Sequence, residues 1–105
     1  MSRPGGQPNM QQLMKQAQQL QRQMLSAQEE IAAARVEGHA GGQMVTAVVS
    51  GTGGLEELRI DPAAVDPDDV ETLSDLIVAA VRDAQRAAQE LAAEKMPQLP
   101  GGLPF

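Results

Sequence analysis

The stretch that decides the fold runs from Asn9 to Ala34 and reads NMQQLMKQAQQLQRQMLSAQEEIAAA. Its apolar residues recur in alternating steps of three and four: Met10, Leu13, Ala17, Leu20, Met24, Ala27, Ile31 and Ala34. This spacing is typical of a coiled-coil seam and predicts a helix on the order of 40 Å long, with Asn9 as its N-cap. Because a lone helix cannot bury so narrow a stripe, we expect the residues from Met10 to Ile31 to form a dimer interface with a second copy of the chain.

The residues that follow predict a three-stranded antiparallel sheet. β-branched residues concentrate in Arg35–Ala40 and Gln43–Ser50, which we expect to form a hairpin across Gly41-Gly42. A second glycine-rich turn, residues 51–54, leads to a third strand over Leu55–Asp61.

A second long helix is predicted after the sheet. Asp66-Pro67-Asp68-Asp69 favours a helix start, with Asp66 as N-cap and Pro67 in the first position. Its apolar stripe again follows the three-four rhythm: Val70, Leu73, Ile77, Ala80, Ala84, Ala87 and Leu91. Pro97 should end it. The predicted protomer is therefore α+β, helix–three-stranded antiparallel sheet–helix, with a folded domain over 9–96 and flexible tails at 1–8 and 97–105.

Composition narrows the class of protein. The 105 residues amount to one domain, and its core must be aliphatic because Phe105 is the only aromatic residue. The absence of cysteine excludes disulfides, thiolate metal sites and a cysteine nucleophile. Neither a signal peptide nor a run of about 20 apolar residues is present, so we expect a cytoplasmic protein without a membrane partner.

The charges are divided unevenly along the chain. The net charge of -6 disfavours nucleic acid, yet residues 1–28 contain three basic residues and no acidic one. Residues 29–105 contain five basic residues and all fourteen acidic ones. Contact with a polyanion is therefore expected chiefly before Glu29.

The polar side of the first helix is the main candidate site. Six residues fall away from the seam: Gln11, Gln12, Lys15, Gln18, Gln19 and Arg22. Two cations seven residues apart, with amides between them and no acids, can lie along a DNA backbone and contact phosphates without reading sequence. The alternative is an ordinary solvated helix face, because Gln, Lys and Arg are good helix formers.

A second cationic patch is possible on the second helix. Arg82 and Arg86 could act together with Arg3, Arg35 or Arg59. Local charge pairing is the competing interpretation. Arg86 has Glu90 four residues ahead of it, and Arg59 stands between Glu57 and Asp61, on the strand face opposite Leu58 and Ile60.

Other polar features do not indicate catalysis or a cofactor. The acidic run from Asp66 to Asp75 lacks the glycine and terminal glutamate of a calcium loop, so helix capping explains it. His39, predicted in a glycine-flanked turn, has no second histidine or cysteine for a metal site. The glycines at 38, 41, 42, 51, 53 and 54 are predicted turn residues, because each run leads to a strand and no Gly-Lys-Ser/Thr follows. We expect no enzyme, no metal and no small-molecule substrate.

Several short segments, in order and at compatible spacing, resemble the YbaB/EbfC nucleoid-associated proteins. They are Met14–Gln19, Gln28–Ala32, Val36–Gly38 with Ala40–Gly42, Ile60–Pro62, Leu73–Ala84, Glu94–Met96 and Leu99–Phe105. The resemblance runs from about Asn9 to the C-terminus. It implies an intertwined bacterial homodimer whose helices project like tweezers and bind double-stranded DNA of the nucleoid with little sequence preference. The alternative hypothesis is a coiled-coil adaptor or holdase that grips partner helices and does not bind DNA.

Overall fold

A computed structural model describes residues 9–97 of the chain. Its elements, in order, are α1 (Met10–Ala33), β1 (Arg35–Ala40), β2 (Val45–Ser50), β3 (Leu55–Ile60), a short 3₁₀ turn (Pro62–Ala64) and α2 (Val70–Lys95). This order confirms the predicted helix–three-stranded antiparallel sheet–helix protomer. The tails predicted at 1–8 and 97–105 lie outside the described residues, except for Pro97.

The sheet has the strand order β1-β2-β3, and both pairings are antiparallel. In the register, Ala47 lies opposite Gly38 of β1 and Leu58 of β3. A bulge between Val48 and Val49 shifts the β2–β3 pairing near its end. Every residue of the central strand β2 is buried.

The core lies between α2 and one face of the sheet, and small side chains dominate it. Its fully buried members are Val45, Ala47, Val49, Ala80, Ala84 and Ala88. Leu58 and Ile60, which the sequence places together on one face of β3, pack against this cluster. Because alanines line α2, the helix axis approaches the sheet closely, and packing complementarity there depends on small residues.

At Gly38 the backbone of α2 packs directly against the sheet. Predicted as a turn residue, Gly38 lies within β1 instead, and a Cβ built on it would overlap the backbone nitrogen of Ala84 and lie 2.6 Å from the Ala84 Cα. The prediction was wrong because sequence alone does not distinguish a glycine that permits close packing from one that permits a turn. Gly41 and Gly42 do form the turn, at φ +64° and +65°.

Most of α1 extends beyond this body. Ala27 and Ile31 are its only buried residues, whereas the side chains from Met10 to Ser26 are exposed apart from half-buried Leu20. The Cα radius of gyration is 22.0 Å, against about 13 Å for a compact chain of 100 residues. We call Met10–Ser26 the arm and Ala27–Ala33 its root.

The root is attached by a small set of contacts. The backbone N–H of Gly51 donates to the carbonyl oxygen of Ala34, and a Cβ built on Gly51 would overlap the carbonyl oxygen of Ile31. An ion pair joins Lys95 near the end of α2 to Glu30, with Nζ and Oε2 3.3 Å apart. The direction of the arm is therefore set by a few residues at one end of the body.

The second helix begins later than the sequence predicts. Asp69, not Asp66, is its N-cap, because the Asp69 side chain accepts hydrogen bonds from both the backbone N–H and the hydroxyl of Thr72. Asp66 instead accepts from the backbone N–H of Asp68 in the preceding turn. Capping therefore accounts for these two acids, as predicted. The predicted apolar stripe of α2 is wrong at two positions: Val70 is 60% exposed, and near the helix end Ala88, not Ala87, is the buried alanine.

Smaller differences concern the strands. β2 begins at Val45 because Gln43, at φ +77°, belongs to the turn, whose Met44 N–H donates to Gly41. β3 ends at Ile60, one residue before the predicted end. His39 lies within β1, and its Nδ1 is 3.0 Å from the hydroxyl of Thr46 on β2.

Candidate nucleic-acid interface

The arm brings the candidate residues of the first helix together on one side. Lys15, Gln18, Gln19 and Arg22 line one shallow hollow of about 260 Å³. Their spacing of three, four and seven residues places them on adjacent turns of one helix face. Gln11 lies one further turn towards the N-terminus and is also exposed.

The cations point away from the apolar stripe of the arm. Lys15 follows Leu13 by two residues, and Arg22 follows Leu20 by two, so each cation is rotated about 200° from the stripe. Both cations can therefore contact a ligand while the stripe contacts another helix.

No acid in the described part of the chain neutralises these cations. Within residues 9–97, neither Lys15 nor Arg22 forms an ion pair, and the first carboxylate of the sequence is Glu29, seven residues after Arg22. A polyanion that approaches the arm therefore meets positive charge without competition from a neighbouring carboxylate.

The candidates on α2 are less uniform. Arg82 and Arg86 are exposed, but only Arg82 lacks an ion pair in the described part of the chain. Arg86 donates to Asp83 and to Glu90, each at 2.9 Å, which confirms the predicted pair with Glu90. Neither arginine joins the hollow on the arm.

Arg35 and Arg59 are held in an ion-pair network on the sheet face opposite α2. Arg35 binds Glu56 and Glu57, and Arg59 binds Glu57 at 2.7 Å and Glu37 at 3.3 Å. The hydrogen bond and charge of Arg59 lower the pKa of the Glu57 carboxyl. Of the two acids predicted to pair with Arg59, Glu57 does so and Asp61 is not part of this network within residues 9–97.

This network also explains burial on an otherwise open face. Val48 of β2 points away from α2, yet it is only 1% exposed. Its register partners are Glu37 on β1 and Glu57 on β3, whose side chains are held across it by the arginines. The two arginines of this face are paired with carboxylates of the sheet, so they leave little positive charge for a ligand. Arg3 lies outside the described residues.

Asp83 links α2 to the edge of the sheet. It accepts from Arg86 and, at 3.0 Å, from the backbone N–H of His39 on the edge strand β1. The hydrogen bond from Arg86, followed by that from His39, lowers the pKa of the Asp83 carboxyl. A depressed carboxyl pKa stabilises the fold above the unfolded-state pKa, and this stabilisation is lost as pH falls through the folded-state value.

We expect Asp83→Asn to reduce the free energy of unfolding at pH 7. The deficit relative to the parent chain should narrow as pH falls below the ordinary carboxyl pKa of about 4 and towards the lower pKa that Asp83 has in the folded parent. Urea denaturation between pH 7 and 3 measures this, with Asp75→Asn as control because Asp75 forms no ion pair in residues 9–97. A deficit of constant size across this range would contradict the assignment.

The described residues offer no further chemical site. Among residues 9–97, no cluster of His, Asp or Glu could hold a metal ion. No helix in that range is both long and apolar enough to span a membrane.

Two apolar residues of the arm were not included in the predicted stripe. Met14 and Leu25 lie beside it and are 59% and 53% exposed.

Three comparisons with known proteins agree with this architecture. The profile of the YbaB/EbfC DNA-binding family matches residues 6–103. A protein of Saccharopolyspora erythraea called a nucleoid-associated protein is 66% identical over 100 residues, covering 95% of this chain and 86% of the relative. A protein of Rhodococcus opacus with the same description is 59% identical, covering 94% and 88%.

One solved structure supports the fold alone. The crystal structure of the uncharacterized protein HP0035 from Helicobacter pylori superposes with a TM-score of 0.68 and 22% identity. The match covers 84% of this chain and 92% of that one.

Proposed function

The chain belongs to the YbaB/EbfC DNA-binding family, and from this membership we propose that its arm binds the phosphate backbone of double-stranded DNA. The observation that carries the proposal is the acid-free face of the arm, where Lys15 and Arg22 are exposed and unpaired within residues 9–97. Gln11, Gln18 and Gln19 supply amide donors to the same phosphates. Arg82 adds a further cation, which has no ion pair within residues 9–97, and Arg86 contributes only if a phosphate displaces Asp83 or Glu90.

Little sequence specificity is expected of such a surface. Phosphate contacts fix position but carry no direct sequence information, and base edges must be reached through a groove to be read. Because relatives are described as nucleoid-associated, we propose that this chain also coats nucleoid DNA and thereby influences its organisation.

The working form is proposed to be a homodimer formed by residues 9–96. The stripe that begins at the buried root continues along the arm as exposed apolar surface, with Met10 71%, Leu13 44% and Met24 38% exposed. A contiguous exposed apolar stripe favours pairing with another helix. In the dimer the two arms would present two copies of the Lys15–Arg22 face.

We expect Leu13→Asp combined with Leu20→Asp to convert the dimer to a monomer. Two carboxylates in the apolar stripe would be desolvated or would repel their counterparts. Light scattering at micromolar concentration reports the mass. Gln12→Asp with Gln23→Asp is the matched control, since both glutamines are exposed and lie off the stripe. If the parent chain is already monomeric at this concentration, the proposal that two chains pair through the apolar stripe is wrong.

Salt dependence tests the proposed function. Two cations on each of two arms give about four phosphate contacts, and about six with Arg82, so the slope of log K against log salt should lie between about -3.6 and -5.4. Gel shifts on unrelated duplexes of equal length should give affinities within a few-fold of each other. Salt-insensitive binding, or no retention of DNA, would favour the adaptor or holdase hypothesis instead.

A further inference from the structure

The two edges of the sheet are closed to different degrees. At the β1 edge, the Asp83 carboxylate of α2 accepts a hydrogen bond from the outward-facing backbone N–H of His39 at 3.0 Å. At the other edge, β3 pairs only with β2 among residues 9–97, and no other backbone hydrogen bond in that range involves Leu55–Ile60. An edge strand with unpaired N–H and C=O groups is a template for a further strand. The β3 edge is therefore the more open of the two.

Two residues of β3 carry its outward backbone groups. The backbone N–H of Asp61 donates to the carbonyl oxygen of Met44 at 2.8 Å, so Asp61 faces β2. Because backbone groups alternate along a strand, Leu58 and Ile60 turn their N–H and C=O groups away from β2. The bulge precedes Glu57 and leaves this stretch regular. The side chains of Leu58 and Ile60 are only half-buried against the core. A further strand here would pair polar groups and cover apolar surface at once.

The charges of β3 are complementary to themselves when two copies pair antiparallel about Leu58. In this register the two Leu58 residues face each other through their outward backbone groups, and Glu57 of each copy lies opposite Arg59 of the other. Opposite charges directly across an antiparallel pair stabilise it, and like charges destabilise it. Within one chain, Arg59 Nε already lies 2.7 Å from a Glu57 carboxylate oxygen. Each guanidinium can therefore be shared between two carboxylates on one face of the sheet.

The neighbouring registers of β3 against a second β3 are disfavoured. Centring the pair on Arg59 sets two guanidinium groups opposite each other, and centring it on Glu57 sets two carboxylates opposite each other. Centring it on Ile60 sets Leu58 opposite Pro62, which has no N–H to donate. The sequence of β3 therefore favours the register centred on Leu58.

We propose that β3 of one copy pairs antiparallel with β3 of a second copy, centred on Leu58. The contact is separate from the apolar stripe of the arm, so it adds a second way for copies to associate. One six-residue strand buries less than about 1,200 Å², the lower limit of a standard stable interface. The contact therefore forms at millimolar rather than micromolar concentration.

Copies held side by side on one duplex meet at such local concentrations, and there the contact joins neighbours into a continuous cover. This consequence rests on the proposed function, whereas the contact itself does not. Both tests of the contact are therefore made without DNA.

The first test is a disulfide between two full chains, which have no native cysteine. A Glu57→Cys chain is mixed with an Arg59→Cys chain labelled with nitrogen-15. In the proposed register the two cysteines lie directly opposite each other, with Cα atoms about 4.5 Å apart, whereas two chains of the same variant place theirs on the diagonal, about 7–8 Å apart. The remaining Arg59 and Glu57 of the mixed pair still face each other.

We expect the mixed disulfide to form at least about ten-fold faster than either link between identical variants, because a bond requires Cα atoms within about 7 Å. Peptide mass spectrometry distinguishes the links by their isotope label. Equal rates for mixed and identical links, or preferred linkage of two Arg59→Cys chains, would overturn the proposal.

The second test exchanges charges and uses no cysteine. Glu57→Arg alone and Arg59→Glu alone each set like charges opposite each other in a self-pair, but an equal mixture of the two variants restores both opposite-charge pairs. Between micromolar and millimolar concentration, sedimentation equilibrium should show a rising average mass for the parent and for the mixture, and a constant mass for each variant alone. Glu94→Arg makes the same charge change on α2 as Glu57→Arg makes on β3 and should behave like the parent. A constant mass for the parent, or an equal rise for the separate variants and their mixture, would contradict the contact.

Discussion

Gly38→Ala is expected to lower the free energy of unfolding by about 3 kcal/mol, the upper range for overpacking in a tight core. The added methyl group would meet the backbone of Ala84 and the carbonyl oxygen of Ala80, 2.5 Å away, and neither can rotate aside as a side chain would. Relief requires α2 to move away from β1, which loosens its packing along the sheet. Urea denaturation at a fixed protein concentration measures the loss, because dimer stability depends on concentration.

Gly54→Ala provides the control for the glycine substitution itself. At Gly54 the nearest atom to a new Cβ is the Ser50 hydroxyl oxygen, at an ordinary contact distance of 3.6 Å. We expect a change within about 1 kcal/mol in either direction, since replacing glycine also reduces the entropy of the unfolded chain. Equal stability of the two variants would contradict the close packing of α2 against Gly38.

Lys15→Glu combined with Arg22→Glu is expected to weaken DNA binding on the order of 10³-fold or more at about 0.1 M salt. In a dimer the double substitution removes four phosphate contacts, and each contact contributes about 0.9 log unit of affinity between 1 M and 0.1 M salt. The new carboxylates also repel phosphates. Fluorescence anisotropy with a labelled duplex measures the change.

Folding and dimerisation of this variant must be checked separately. Both positions lie on the exposed face of α1, away from the stripe, so its thermal midpoint and its mass in solution should match those of the parent. If affinity is lost while mass and stability are preserved, the loss belongs to the DNA surface. Retained affinity would exclude the arm as the main contact.

The helices could be predicted because their signals are local. Asn9 was expected to cap α1, and its side chain does accept from the backbone N–H of Gln11. The start of α2 was misplaced by three residues because both Asp66 and Asp69 are good caps, and only Thr72 favours the second. When two residues could cap a helix equally well, the neighbouring side chains decide which of them does so.

Contacts between distant segments were harder to predict. The Arg86–Glu90 pair follows from helical spacing, but the pairing of Arg59 with Glu37 depends on the order and register of three strands. The role of Gly38 likewise depends on where α2 crosses β1. Sequence patterns describe one element at a time, whereas these features arise only when two elements meet.

The candidate site lies between these cases. Helical periodicity alone was enough to place Lys15 and Arg22 on one face, and the structure adds that this face belongs to an arm beyond the body. Helical spacing also predicted that Glu90 pairs with Arg86, but sequence could not establish the cross-strand partners of Arg35 and Arg59. Arg82 stays free within the described residues, while Arg35, Arg59 and Arg86 are paired.

The central claim, that the arm binds DNA through its two unpaired cations, is tested most directly by the salt dependence of a neutralised variant. Lys15→Gln with Arg22→Gln should make the slope of log K against log salt shallower by about 3.6 for a dimer, because four phosphate contacts are lost. Arg35→Gln with Arg59→Gln changes the net charge equally but removes cations already paired with carboxylates, so its slope should equal that of the parent. If instead the arm variant keeps the parental slope, or the sheet variant loses as much, the arm is not the DNA-binding surface.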